Sequence, residues 1–281
     1  MNWQLLIKEP KFWLLGIAAG LIAIQLTLAG KYNHIELFGT SALAWGSVSF
    51  LIWDRRDKLE LESDILASLF GALIIIIALI RTAPLSNYDA FLRIYPLFTA
   101  IGLGILASGM KGLRQYWKEF VILIFPALSP APAFLVELIN ISPITAKFTH
   151  TLLWYLGFQV SRQGIFLIMP SGGKVEVGTG CSGLTIIMQL LMLSIVFLFM
   201  FNTNWKQKII VPIVAITVAF IVNVVRVSLL AYLVSYSTKE SFDYWHFGEG
   251  SFIFSMIGAV IFGLFCQLAI LRETPEKQDA N

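Results

Sequence analysis

Apolar stretches of bilayer length recur along nearly the whole chain, and this most restricts how it can fold. A helix crossing the hydrocarbon core needs about 20 predominantly apolar residues. Such segments lie near 12–29, 37–53, 65–80, 90–109, 119–139, 184–202, 209–236 and 250–271. Only 13% of the 281 residues are charged, against about 25% in soluble domains. The pattern predicts an all-α polytopic membrane protein with about eight transmembrane helices. The third segment is short. Pro126, Pro130 and Pro132 interrupt the fifth, so it is either a kinked span or a re-entrant one.

Lys8 and Lys11 precede the first segment as in a signal peptide. The apolar run exceeds the usual 7–15 or so residues, however, and no A-x-A site follows. An uncleaved first span is expected. Basic residues concentrate at alternate ends of the segments: Lys8 and Lys11, then Arg55, Arg56 and Lys58, then Lys111, Arg114 and Lys118, then Lys206 and Lys208, then Arg272 and Lys277. By the positive-inside rule these ends face the cytoplasm. Both termini are expected there, with the protein multi-pass in the inner (plasma) membrane. One integral-membrane domain is expected over 1–281, comprising N-terminal spans (1–89), a core (90–271) and a disordered cytoplasmic tail (272–281). The net charge of +3 includes no basic block, so the bilayer is an expected partner and nucleic acid is not.

Residues 140–183 form the one long stretch that does not span. Apolar and polar residues mix over 143–160, as in a helix lying at the membrane surface. Residues 164–169 and 174–177 read as strands around the turn Pro170-Ser171-Gly172-Gly173. A short β-hairpin and an interfacial helix on the outer face are therefore expected.

The hairpin leads to Gly178-Thr179-Gly180-Cys181-Ser182-Gly183, directly before the sixth segment. A lone membrane cysteine is usually a small hydrophobe, and Cys266 is read that way. The glycines around Cys181 instead suggest a thiol left open at a helix N-terminus, where the thiolate is favoured. Arg226 lies inside the seventh segment, where an ionisable residue is a functional hypothesis by default; snorkelling to headgroups is its plain alternative. It is about 17 residues along, or roughly 25 Å at 1.5 Å per residue, which puts it near the outer boundary. His246 follows in the next outer loop, in Tyr244-Trp245-His246, and alone would pass for an ordinary loop histidine. All three fall at one depth on one side. Asn223, three residues before Arg226, shares its helix face and could orient it. Cys266 lies over about 20 Å deeper, out of disulfide reach of Cys181. No metal-ligand set, P-loop or dinucleotide fingerprint is present, so no cofactor is expected.

Cys181-Ser182-Gly183-Leu184 at a helix start, then Asn223-Val224-Val225-Arg226, then His246 with Gly250 before a last span, resembles the exosortase/archaeosortase family. The similarity covers roughly 90–270, and the short tail is similar to the cyanobacterial exosortase subgroup. The resemblance implies a membrane-embedded cysteine peptidase or transpeptidase. Its nucleophile, cation and base fall on Cys181, Arg226 and His246, with Ser182, Gly183, Asn223 and Gly250 supporting them or binding substrate. The implied partners are exported proteins with a C-terminal sorting tail: a Pro-Glu-Pro (PEP-CTERM-like) motif, a transmembrane helix and a basic end. A thioester at the outer face would then release the product to water or to a surface acceptor. An accessory membrane subunit stays open. So do two rival readings: a small transporter with Arg226 in an anion pathway, and a Cys181-dependent membrane acyltransferase. The latter needs a carboxylate, and only Glu176 and Glu249 lie near in sequence.

Overall fold

A computed structural model describes residues 10–32, 35–83, 90–128 and 138–271. The tail at 272–281, Pro130 and Pro132 lie outside them. The chain divides into two compact units, Met1–Ser129 and Pro130–Asn281.

The first unit is built from helices α1 (Pro10–Lys31), α2 (Ile35–Asp54), α3 (Ile65–Thr82), α4 (Phe91–Gly112) and α5 (Trp117–Ala127). The sequence reading groups the segment at 90–109 with the core that follows it; here it belongs to the first unit. Glycine explains the difference. A Cβ at Gly71 of α3 would lie 2.6 Å from the Leu106 nitrogen and 2.7 Å from the Gly102 oxygen, so α3 and α4 meet backbone to backbone. Gly109 adopts φ +66 near the end of α4, and the chain turns through Leu113–Tyr116 into α5. That helix folds back so that Leu113, Tyr116 and Phe120 reach Gly104. Several polar side chains inside the unit pair with one another, which offsets their desolvation in a low-dielectric interior. The Gln25 amide of α1 donates to Ser41 of α2 at 2.7 Å and accepts from the Trp45 indole at 2.9 Å. Arg55 and Glu119 form an ion pair at 2.5 Å.

The second unit comprises α6 (Ser142–Tyr155), strands β1 (Ser161–Gln163), β2 (Phe166–Ile168) and β3 (Lys174–Glu176), then α7 (Leu184–Met200), α8 (Trp205–Tyr236), α9 (Lys239–His246) and α10 (Gly250–Phe265). Helix α10 continues into a wider π-helical turn at Cys266–Leu271. The strands form one antiparallel sheet in the order β1-β2-β3. Strand β1 is an addition to the two strands read from sequence. Its Ser161-Arg162-Gln163 is exposed and polar, so it carries no apolar signal. The pleat turns Leu167 and its register partner Val175 inward, both buried. Helix α8 starts with a capping box in which Asn204 accepts from the Gln207 nitrogen at 2.9 Å. Its buried Val211, Ala215 and Ala219 recur every fourth residue. They pack with Leu190 and Phe197 of α7, Phe254 and Phe262 of α10, and Cys266.

Among the described residues, five helical segments are long and apolar enough to cross a membrane: Lys11–Lys31, Ile65–Thr82, Phe91–Ala127, Trp205–Tyr236 and Gly250–Leu271. Eight apolar segments were expected from the sequence. The fourth and fifth merge into the single kinked segment Phe91–Ala127. Helix α7 is apolar but only 17 residues long. Helix α2 carries Glu36, Thr40, Ser41, Ser47 and Ser49 along its length.

Candidate active site

The thiol stands on a single 3-10 turn, Thr179–Cys181, between β3 and α7. The sequence suggested a thiol open to solvent. Cys181 is instead 3% exposed, because Ala146 of α6, Leu167 and Val177 of the sheet segment, and Val227 and Leu230 of α8 close around it. Nor is it the first residue of the helix: Gly183 caps α7 in the left-handed region, at φ +95. A Cβ there would fall 2.7 Å from the Asn223 amide nitrogen. Glycine thus serves two needs at Gly183, the positive φ and the close approach of α8.

Asn223 is fully buried, and its amide donates to the Cys181 carbonyl at 2.9 Å. The sequence reading has it orienting Arg226; its bond goes across to the cysteine turn instead. Ser182 donates to the Thr179 carbonyl at 2.7 Å and accepts from the Leu184 nitrogen at 3.3 Å. This satisfies one of the N–H groups that a helix start leaves without an intrahelical partner.

His246 is the last residue of α9 rather than part of an irregular loop. Thr238 caps that helix by accepting from the Ser241 nitrogen. The imidazole Nε2 lies 3.1 Å from Cys181 Sγ. Phe242 and Phe247 flank the ring, with centroids 5.0 and 3.9 Å away. Nδ1 is buried and bonded to no described residue, so aromatic packing orients the ring. Burial, and secondarily the Arg226 charge, lower the His246 pKa below its usual 6.5; Asp243 acts in the opposite direction. The neutral ring is favoured, and its Nε2 can take the thiol proton.

Arg226 is 5% exposed, which excludes a snorkelling side chain. Its Nη1 donates to the Gly180 carbonyl at 3.4 Å and its Nη2 to the His246 carbonyl at 3.1 Å. One cation therefore ties the peptide before the nucleophile to the peptide of the imidazole. Gly250 opens α10 beneath this site. A Cβ there would meet the Tyr244 and Trp245 rings at 2.8–2.9 Å, so glycine lets α9 lie against the last helix.

Residue-by-residue reading of the sequence missed Thr145 on α6. It is fully buried, and its hydroxyl donates to the Ser182 carbonyl at 2.8 Å. The available signal was Thr145 and Thr149 at helical spacing on an otherwise apolar face. His150 accounts for itself locally, bonded to the Val160 carbonyl at 3.1 Å. Glu176 and Glu249 are exposed, and among the described residues neither bonds to the thiol, the imidazole or the guanidinium.

A buried thiol against a half-buried imidazole, beside a fixed cation, can generate a thiolate and stabilise negative charge next to it. Comparison with known proteins finds no curated protein and no solved structure that matches this chain. The family model for transmembrane exosortases matches residues 32–263, starting well before the part in which the resemblance was read. With most of its length matched, the chain belongs to the transmembrane exosortase family.

Proposed function

We propose that this protein is a membrane-embedded cysteine peptidase or transpeptidase that removes the C-terminal sorting tail of exported proteins. The 3.1 Å approach of His246 Nε2 to the buried Cys181 Sγ carries this reading. The substrate's transmembrane tail docks laterally, bringing its Pro-Glu-Pro-type motif to the site at the extracytoplasmic face. His246 Nε2 takes the Cys181 proton and the sulfur adds to the scissile carbonyl carbon. The carbonyl π pair moves to oxygen, and the Arg226 charge stabilises that oxyanion. On collapse the C–N bond breaks, and the imidazolium returns its proton to the leaving amine. Water or an amine of a surface acceptor then attacks the thioester, and the sulfur leaves as thiolate to be reprotonated.

Two observations weigh against the rival readings. The Arg226 Nη atoms are engaged by backbone carbonyls rather than lining a pathway. The acyltransferase reading needs a carboxylate, and the two near in sequence, Glu176 and Glu249, are exposed.

The test is co-expression with a reporter bearing a Pro-Glu-Pro motif, an apolar span and a basic end. The intact chain should shorten the reporter. Cys181→Ala should leave it full-length while accumulating normally in the membrane. Equal shortening by the alanine variant would rule out the thiol mechanism.

A further inference from the structure

Three consecutive carbonyls of the nucleophile turn are each held by a buried side chain from a helix. The Gly180 carbonyl accepts from Arg226, the Cys181 carbonyl from Asn223 and the Ser182 carbonyl from Thr145. Arg226 and Asn223 belong to α8, and Thr145 to α6. A turn needs no such grip to close. Its own bonds, Cys181 N–H to Gly178 O and Ser182 N–H to Thr179 O, already do so.

The grip fixes the direction of the peptide N–H groups. In a planar trans peptide the carbonyl and the following N–H point opposite ways. The Cys181 N–H is spent within the turn at 3.1 Å, and the Ser182 N–H at 3.4 Å. The Leu184 N–H is taken by the Ser182 hydroxyl. The Gly183 N–H donates to no described residue. Its peptide is the one whose carbonyl Thr145 holds.

We infer that the Gly183 backbone N–H is a directed hydrogen-bond donor to the oxyanion, and that Thr145 is the positioning residue that aims it. This inference rests on the thiol chemistry proposed above. Arg226 supplies charge to the same oxygen while its Nη atoms stay on their carbonyls. A donor aimed in advance at the developing charge needs no reorganisation as the reaction proceeds.

Thr145→Val removes the hydroxyl at nearly constant shape, and Thr145→Ser keeps it. On the tailed reporter, the valine variant should lower kcat about 10–100-fold, the scale of a small misplacement of reacting groups, with KM within about twofold. The serine variant should recover most of kcat. Iodoacetamide alkylation of Cys181 across pH should be the same in both as in the parent, because it uses the thiol and imidazole without an oxyanion. If the valine variant does not accumulate, Thr145→Ala supplies the same comparison with serine. Parental kcat in the valine variant would overturn the inference. So would equal kcat losses in the valine and serine variants, or slowed alkylation, since either marks Thr145 as packing alone. Failure of the thiol chemistry reads out separately, as processing that survives Cys181→Ala.

Discussion

In the proposed mechanism, the protonation state of the His246 imidazole decides whether Cys181 can be activated. Burial and the Arg226 charge both disfavour imidazolium, and Asp243 favours it. The neutral base therefore persists to more acidic pH than an ordinary histidine allows. The acid limb of kcat/KM on the tailed reporter should lie below pH 6.5. Asp243→Asn removes the favouring charge, so the limb should move further toward acid; an upward move would contradict this electrostatic account. Much of the site was legible at this scale because Cys181, Arg226 and His246 are each chemical exceptions within apolar or glycine-rich context. Asn223 was seen but paired wrongly. Helix periodicity relates it to Arg226 on its own helix, whereas its partner lies 42 residues away in sequence. Thr145 carried only its helical spacing to Thr149, a weak signal, because a threonine in a mixed helix reads as ordinary until the turn it holds is known. The exposure expected of the thiol failed for a related reason: walls contributed by α6 and α8 leave no trace in the local glycine pattern.

At the scale of elements, close backbone contact is the recurring device. Gly71 against Gly102 and Leu106 joins α3 to α4. Gly71→Val should destabilise the protein by about 1–3 kcal/mol, as overpacking does, measured as denaturant unfolding in detergent micelles. Gly46→Val is the control: a Cβ at Gly46 has nothing within 4 Å, and its loss should be much smaller. Helices α1, α3, α8 and α10 could be placed from apolar length alone. The turn joining α4 to α5 falls in the gap between the fourth and fifth apolar segments, marked by Lys111, Arg114 and Lys118; the left-handed backbone at Gly109 left no signal of its own. Strand β1 escaped for want of alternation, its three residues all being exposed.

Across the whole molecule, the distribution of Lys and Arg sets the expected sidedness. A reporter enzyme active only outside the cytoplasm, fused after Gly172 of the hairpin, should be active, and one fused after Asp57 inactive. The reverse result would place the thiol in the cytoplasm and remove exported proteins as substrates. The Arg226 clamp has a mechanical side as well. The guanidinium grips the peptides of both reacting residues, and it rides on a helix of 32 residues. A docking tail that tilts this long rod, or a thinner bilayer that does so, carries attacking sulfur and proton acceptor along as one body. In the proposed mechanism the clamp should keep their separation nearly constant, so turnover should vary with how well a tail seats and change little with the membrane's thickness.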